Sequence, residues 1–216
     1  MKKVKIVIDA LMYASLSILL GYHITDNKVH EYLGIFTFAL FMIHHLLNIS
    51  YYKNLFKGKY NFIRVMSLVT DILMFVMMIG VMISSMGISS YVFKFGGTTK
   101  LLRSMHLFCT SWLFVLVNVH LALHIYPYIS NFRIDIKKSM FEYAIYLISI
   151  LLFAYGVYYL IDVKVWDSLF LLKDFKYYDY SESLIHYYTG YIASSFVVVM
   201  IIYLILMMKL QRKKAK

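Results

Sequence analysis

The sequence predicts an all-α, polytopic membrane helix bundle of about six transmembrane helices with cytoplasmic N- and C-termini. Three observations predict it. Hydrophobic residues make up 62% of the 216 and charged residues 15%, with a mean hydropathy of +0.70, outside the balance of a soluble domain. Apolar runs of about 20 residues, each enough to cross a hydrocarbon core of ~30 Å, recur along the chain. Lysine and arginine collect between alternate runs, as cytoplasmic loops require.

The runs fall near 5–25, 31–52, 66–90, 102–126, 139–161 and 186–208. The first opens on MKKVK, like a signal peptide, but no small-residue cleavage site follows and Gly21-Tyr22-His23 leads on into the second run. It is expected to persist as a helix. One proline, Pro127, and nine glycines leave little material for long linkers, so the spans should be continuous helices joined by short loops. The single cysteine, Cys109, excludes an internal disulfide, a thiolate cluster and a Cys-x-x-Cys-His attachment of haem.

Fifteen of the 22 basic residues lie at the N-terminus (Lys2, Lys3, Lys5), in the second loop (Lys53, Lys57, Lys59, Arg64), in the fourth (Arg133, Lys137, Lys138) and in the tail (Lys209, Arg212, Lys213, Lys214, Lys216). This places the loops at 23–30, 91–101 and 162–185 outside, in a multi-pass protein of the inner (cytoplasmic) membrane. The net charge of +11 then reads as topology. Nucleic acid is a poor partner for basic clusters that flank lipid-spanning helices instead of covering one soluble face.

All eight histidines belong to spans or their edges. His23, His30, His106 and His186 sit toward the outer ends; His44, His45, His120 and His124 sit toward the cytoplasmic half. The second and fourth runs cross in the same direction, and their histidines repeat one interval: 14 residues from His30 to His44, and 14 from His106 to His120. At about 100° per residue this is four turns less about 40°, so each pair shares a helix face, with its two levels about 21 Å apart.

Two parallel helices with histidines at matched depths can clamp two flat macrocycles, one between His30 and His106 and one between His44 and His120. Each iron would take two axial imidazoles, which leaves no open position and favours electron transfer over chemistry at iron. Two b-type haems stacked in this way form a path across the bilayer. The alternative for each histidine is a hydrogen bond to a neighbouring helix or a place at the interface.

Gly34, one turn after His30, would let a porphyrin approach or serve helix packing. Arg103, three residues before His106, would pair with a haem propionate or stand as an interfacial charge. His45 lies about 60° off the His30 face; His124 returns to the His106 angle but about 27 Å away. Both rank as alternates, able to line a quinone pocket, support a ligand from behind, or snorkel to the interface. His23 and His186 form a further alternate outer pair. Asp9 and Asp71 would serve a quinol proton exit or pair with Arg64 and nearby lysines.

The run His30-Glu31-Tyr32-Leu33-Gly34, the segment HHLLNISYY with His44 and Asn48, and LLRSMH and NVHLALH in the fourth run together resemble the flavinylation-associated cytochrome family. Asp9, Arg64, Asp71 and the stretch GVMIS from Gly80 to Ser84 extend the likeness, which covers roughly residues 1–130. The resemblance implies a small haem b membrane protein moving electrons between the quinone pool or a membrane reductase and an extracytosolic flavin-carrying protein. The plan is also similar to the broader di-haem cytochrome b class. Residues 1–130 are expected to form a four-helix haem-binding core, and 131–216 two further helices with an outer loop, all in one membrane domain.

That loop, DVKVWDSLFLLKDFKYYDYSES, reads as a docking surface or an aromatic cover over helix ends. GGTTK at 96–100 lacks the spacing of a phosphate-binding loop, and neither a His-Glu-x-x-His helix nor a flavin-attachment motif is present. The different class left open is a haem-free transport or assembly protein whose histidines pack or handle protons.

Overall fold

The computed structural model describes residues 2–22, 25–95, 97, 99–131, 140–173 and 183–214. The described residues form eight helices and no strand: α1 Lys2–Leu19, α2 Asn27–Leu47, α3 Ile49–Lys53, α4 Phe62–Ile88, α5 Lys100–Asn131, α6 Met140–Asp162, α7 Val165–Leu169 and α8 Leu184–Lys214. Four of them, α4, α5, α6 and α8, are long and apolar enough to cross a membrane. α1 and α2 fall short because they carry Lys3, Lys5 and Asp9, and Lys28, His30, Glu31, His44 and His45.

Polar side chains set the helix boundaries. Asp26 caps α2 by accepting from the Val29 N–H at 2.7 Å, and Asn61 caps α4 by accepting from the Arg64 N–H at 2.9 Å. The second apolar run is therefore broken in two at Asn48, whose N–H reaches the carbonyls of both His44 and His45. Its side-chain amide donates to the His44 carbonyl at 2.9 Å, while Lys5 Nζ on α1 donates to its oxygen at 2.8 Å. α5 runs through Pro127, and α8 continues beyond the apolar run into the basic tail. The segment between α6 and α8 contains α7, tied to α5 by the Trp112 indole N–H, which donates to the Leu169 carbonyl at 2.9 Å. His23, the basic trio Arg133, Lys137 and Lys138, and the acidic residues Asp174, Asp179 and Glu182 lie outside the described residues.

The helices pack chiefly as α4 on α5, α6 on α8, α1 on α2 and α5 on α8. Small residues permit the closest of these approaches. A side chain at Gly80 would meet the Cys109 sulfur, and one at Gly87 would meet Leu102, so Cys109 is a buried packing residue between α4 and α5. Phe41, Met78 and Leu113 form an apolar core joining α2, α4 and α5, with Met12 and Leu16 of α1 against it. A second cluster, Leu123, Tyr126 and Leu206, joins α5 to α8 one level further along. The first cluster lies between the two histidine levels of α2 and α5.

Candidate cofactor site

α2 and α5 are not among the closely packed helix pairs, and a cavity of about 510 Å³ opens where α1, α2, α4 and α5 surround it. That volume suits a cofactor-sized ligand. His30 and His106 both line it, with ring centres 6.3 Å apart and planes inclined at 65°. A metal held between two imidazoles lies about 2 Å from each nitrogen, and each ring centre is roughly 1 Å further back, which gives about 6 Å between centres. The observed 6.3 Å between ring centres is close to that distance.

A Cβ built on Gly34 meets nothing within 4 Å, and Gly34 faces the cavity, so its part is to leave space there and not to pack helices. His106 Nδ1 faces the hydroxyls of Ser84 and Ser85 on α4, at 3.3 and 3.2 Å. His30 Nδ1 is buried with no hydrogen-bond partner, an uncommon state for a polar atom, and Tyr22 packs edge-on against its ring with centres 5.1 Å apart. Arg103 lines the same cavity and is exposed.

Glu31, given no role by the sequence, closes the mouth. Its carboxylate accepts from the Ser89 hydroxyl at 2.7 Å and from the N–H groups of Ser90, Tyr91 and Val92 at 2.8, 3.0 and 3.1 Å. The turn after α4 is thereby fastened to the residue beside His30. Hydrogen bonds to a charged acceptor contribute about 1.5–3 kcal/mol each at most, and their exposure here lowers the sum. Glu31→Ala is expected to cost about 2 kcal/mol and to speed amide hydrogen exchange in residues 89–93, read by mass spectrometry.

The second level, at His44 and His120, is built differently. His44 Nδ1 lies 2.6 Å from Asp9 Oδ1 of α1, and His120 Nδ1 lies 2.8 Å from Asp71 Oδ1 of α4. Tyr51 donates to the other Asp71 oxygen at 2.7 Å. Among the described residues these acids do not pair with Arg64 or lysine: Arg64 donates to the carbonyls of Asn54 and Leu55, each at 3.0 Å, and lies over the Tyr60 ring. An imidazole held through Nδ1 by a carboxylate has its tautomer fixed and presents Nε2, the arrangement that supports metal-ligating histidines.

Of the alternates, His45 and His124 adjoin His44 and His120, with ring centres 5.5 and 4.3 Å apart, and His186 lies elsewhere. His45 is hydrogen-bonded to the Tyr52 hydroxyl and boxed by Phe41 and Phe75, with ring centres 4.2 and 5.6 Å away. The His124 ring is tilted at 50° to that of His120 with centres 4.3 Å apart, and Asp71, Asp9 and His44 lie near enough to act on it electrostatically. His186 belongs to the α6–α8 pair, where Tyr155 and Tyr159 surround it and its Nδ1 is 3.0 Å from the Tyr155 hydroxyl. His23 lies outside the described residues.

Among the described residues no group of three or more His, Cys, Asp or Glu is disposed to hold a bare metal ion. The arrangement suits a metal that brings its own equatorial ligands and needs two imidazoles only. No protein-family model matches the chain, and neither a curated protein nor a solved structure matches it.

Proposed function

We propose that this chain is a di-haem b-type cytochrome of the cytoplasmic membrane that relays electrons across it. The observation that carries the proposal is the approach of His30 and His106, from helices that are not closely packed, across a cofactor-sized cavity left open at Gly34. Haem supplies a one-electron iron couple when bound, and two axial imidazoles suit it to electron transfer. His30 and His106 would hold the outer group, His44 and His120 the inner one, and Arg103 would meet a propionate at the outer rim.

In this reading α1 and α2 join the four apolar helices as spans, giving six with cytoplasmic termini. α1, at 18 residues, reaches about 27 Å, close to the thickness of the hydrocarbon core. Their polar residues then face a cofactor-filled interior instead of lipid. The resemblance to flavinylation-associated cytochromes adds the partners: the quinone pool or a membrane reductase, with quinone as a second bound cofactor, and an extracytosolic flavin-carrying protein.

A second reading, a haem-free protein that handles protons, draws on the chain Tyr51, Asp71, His120 and His124. Haem counts in purified variants separate the two. Substituting His30 or His106 by alanine is expected to remove one haem of two per chain, as is substituting His44 or His120. His45→Ala and His124→Ala are expected to keep both. Retention of full haem by His106→Ala contradicts the ligand assignment.

A further inference from the structure

The two levels differ in what stands behind their imidazoles. At the inner level both rings are held by carboxylates, Asp9 behind His44 at 2.6 Å and Asp71 behind His120 at 2.8 Å. At the outer level His106 has only neutral partners, the hydroxyls of Ser84 and Ser85 and the Val81 backbone, and His30 Nδ1 is buried without a hydrogen bond. The acids come from α1 and α4, neither of which contains a histidine, and each contact bridges a long stretch of chain, 35 and 49 residues. The nearby lysine of α1, Lys5, is turned to Asn48.

A carboxylate accepting the Nδ1 proton makes an imidazole a more basic ligand, and its negative charge stands close to the iron position. Both effects favour the more oxidised, more positive state of a bound metal. Neutral hydroxyl and backbone partners do this more weakly than a carboxylate, and a nitrogen without a hydrogen bond not at all.

Resting on the haem reading above, we infer that Asp9 and Asp71 hold the inner centre at a lower reduction potential than the outer one, which directs electrons outward. They are positioning residues, acting through His44 and His120. The transfer moves one electron from the inner site to the outer, oxidising the first and reducing the second, with no bond made or broken. A quinol or membrane reductase supplies the electron, and a flavin on the outer side accepts it.

Spectroelectrochemistry of the purified haem-loaded protein tests this. Two reduction waves are expected. His44→Ala and His120→Ala should lose the lower wave, while His30→Ala and His106→Ala should lose the higher. Asp71→Asn and Asp9→Asn remove charge but keep size and an acceptor oxygen. Each should raise the lower wave alone by at least a tenfold change in ferric-over-ferrous preference, about 59 mV for one electron. Ser84→Ala and Ser85→Ala should leave that wave in place. If Asp71→Asn loses its inner haem, Asp71→Glu restores the charge and should return the wave to within that tenfold interval. Assignment of the lower wave to His30 and His106, or unmoved waves in both Asn variants, overturns the inference and leaves the haem reading standing. A wild-type chain that takes up no haem overturns both.

Discussion

Gly34→Leu is expected to empty the outer site while the bundle stays folded. A Cβ at this position meets no atom within 4 Å, so the leucine stem enters without collision. Exchanging glycine for a strong helix former inside α2 also favours the helix by about 0.8–1 kcal/mol. The branched end then occupies the cavity wall one turn from His30, where a flat ligand would lie. Helical circular dichroism and the thermal midpoint should match or exceed those of the parent, with one haem per chain instead of two. A packing role for Gly34 gives the opposite pattern, lowered stability with both haems retained.

Gly156→Leu should do the reverse, breaking the bundle away from the histidines. A Cβ on Gly156 runs into the backbone carbonyl of Ala193 and into Val197, and backbone cannot yield as a side chain can. Gly190 meets the Tyr159 ring in the same way, so the α6–α8 contact depends on missing side chains from both partners. Overpacking typically costs 1–3 kcal/mol, and a clash with main chain belongs at or above about 3 kcal/mol. The thermal midpoint in detergent should fall by several degrees. Any haem that remains should keep an unchanged spectrum, since α6 and α8 contribute none of the four proposed ligands.

The helical class and the placing of α4, α5, α6 and α8 were legible in the sequence because length and apolarity alone determine them. The second run was harder. Composition shows 31–52 as one stretch, but Asn48 competes for the carbonyls of His44 and His45 and ends α2 there. The start of α4 at Phe62, ahead of the apolar run, likewise follows from one side chain, Asn61, capping the Arg64 N–H. α7 escaped notice because five residues are too few to show a period.

Within the site, the 14-residue interval gave His30 with His106 as one expected pair, and their ring centres lie 6.3 Å apart. Their supports were not legible. Glu31 and Ser84 entered only as part of the family likeness, and Ser85 not at all. The four donors to Glu31 come from 58 to 61 residues away, beyond any local spacing rule. Asp9 and Asp71 stood out as carboxylates in apolar runs, but charge counting pointed them at Arg64 and lysine. The structure turns them to His44 and His120, because Arg64 is already held by carbonyls of the turn before α4. A buried or half-buried ionisable group in such a helix demands a partner; the sequence shows the demand and not who meets it.

The most direct measurement is the reduced-minus-oxidised spectrum and haem count of the chain purified from membranes supplied with haem. Two b-type haems per chain, with the sharp α band of bis-histidine iron on reduction, are the predicted result. No α band and no bound haem would contradict the account at its centre.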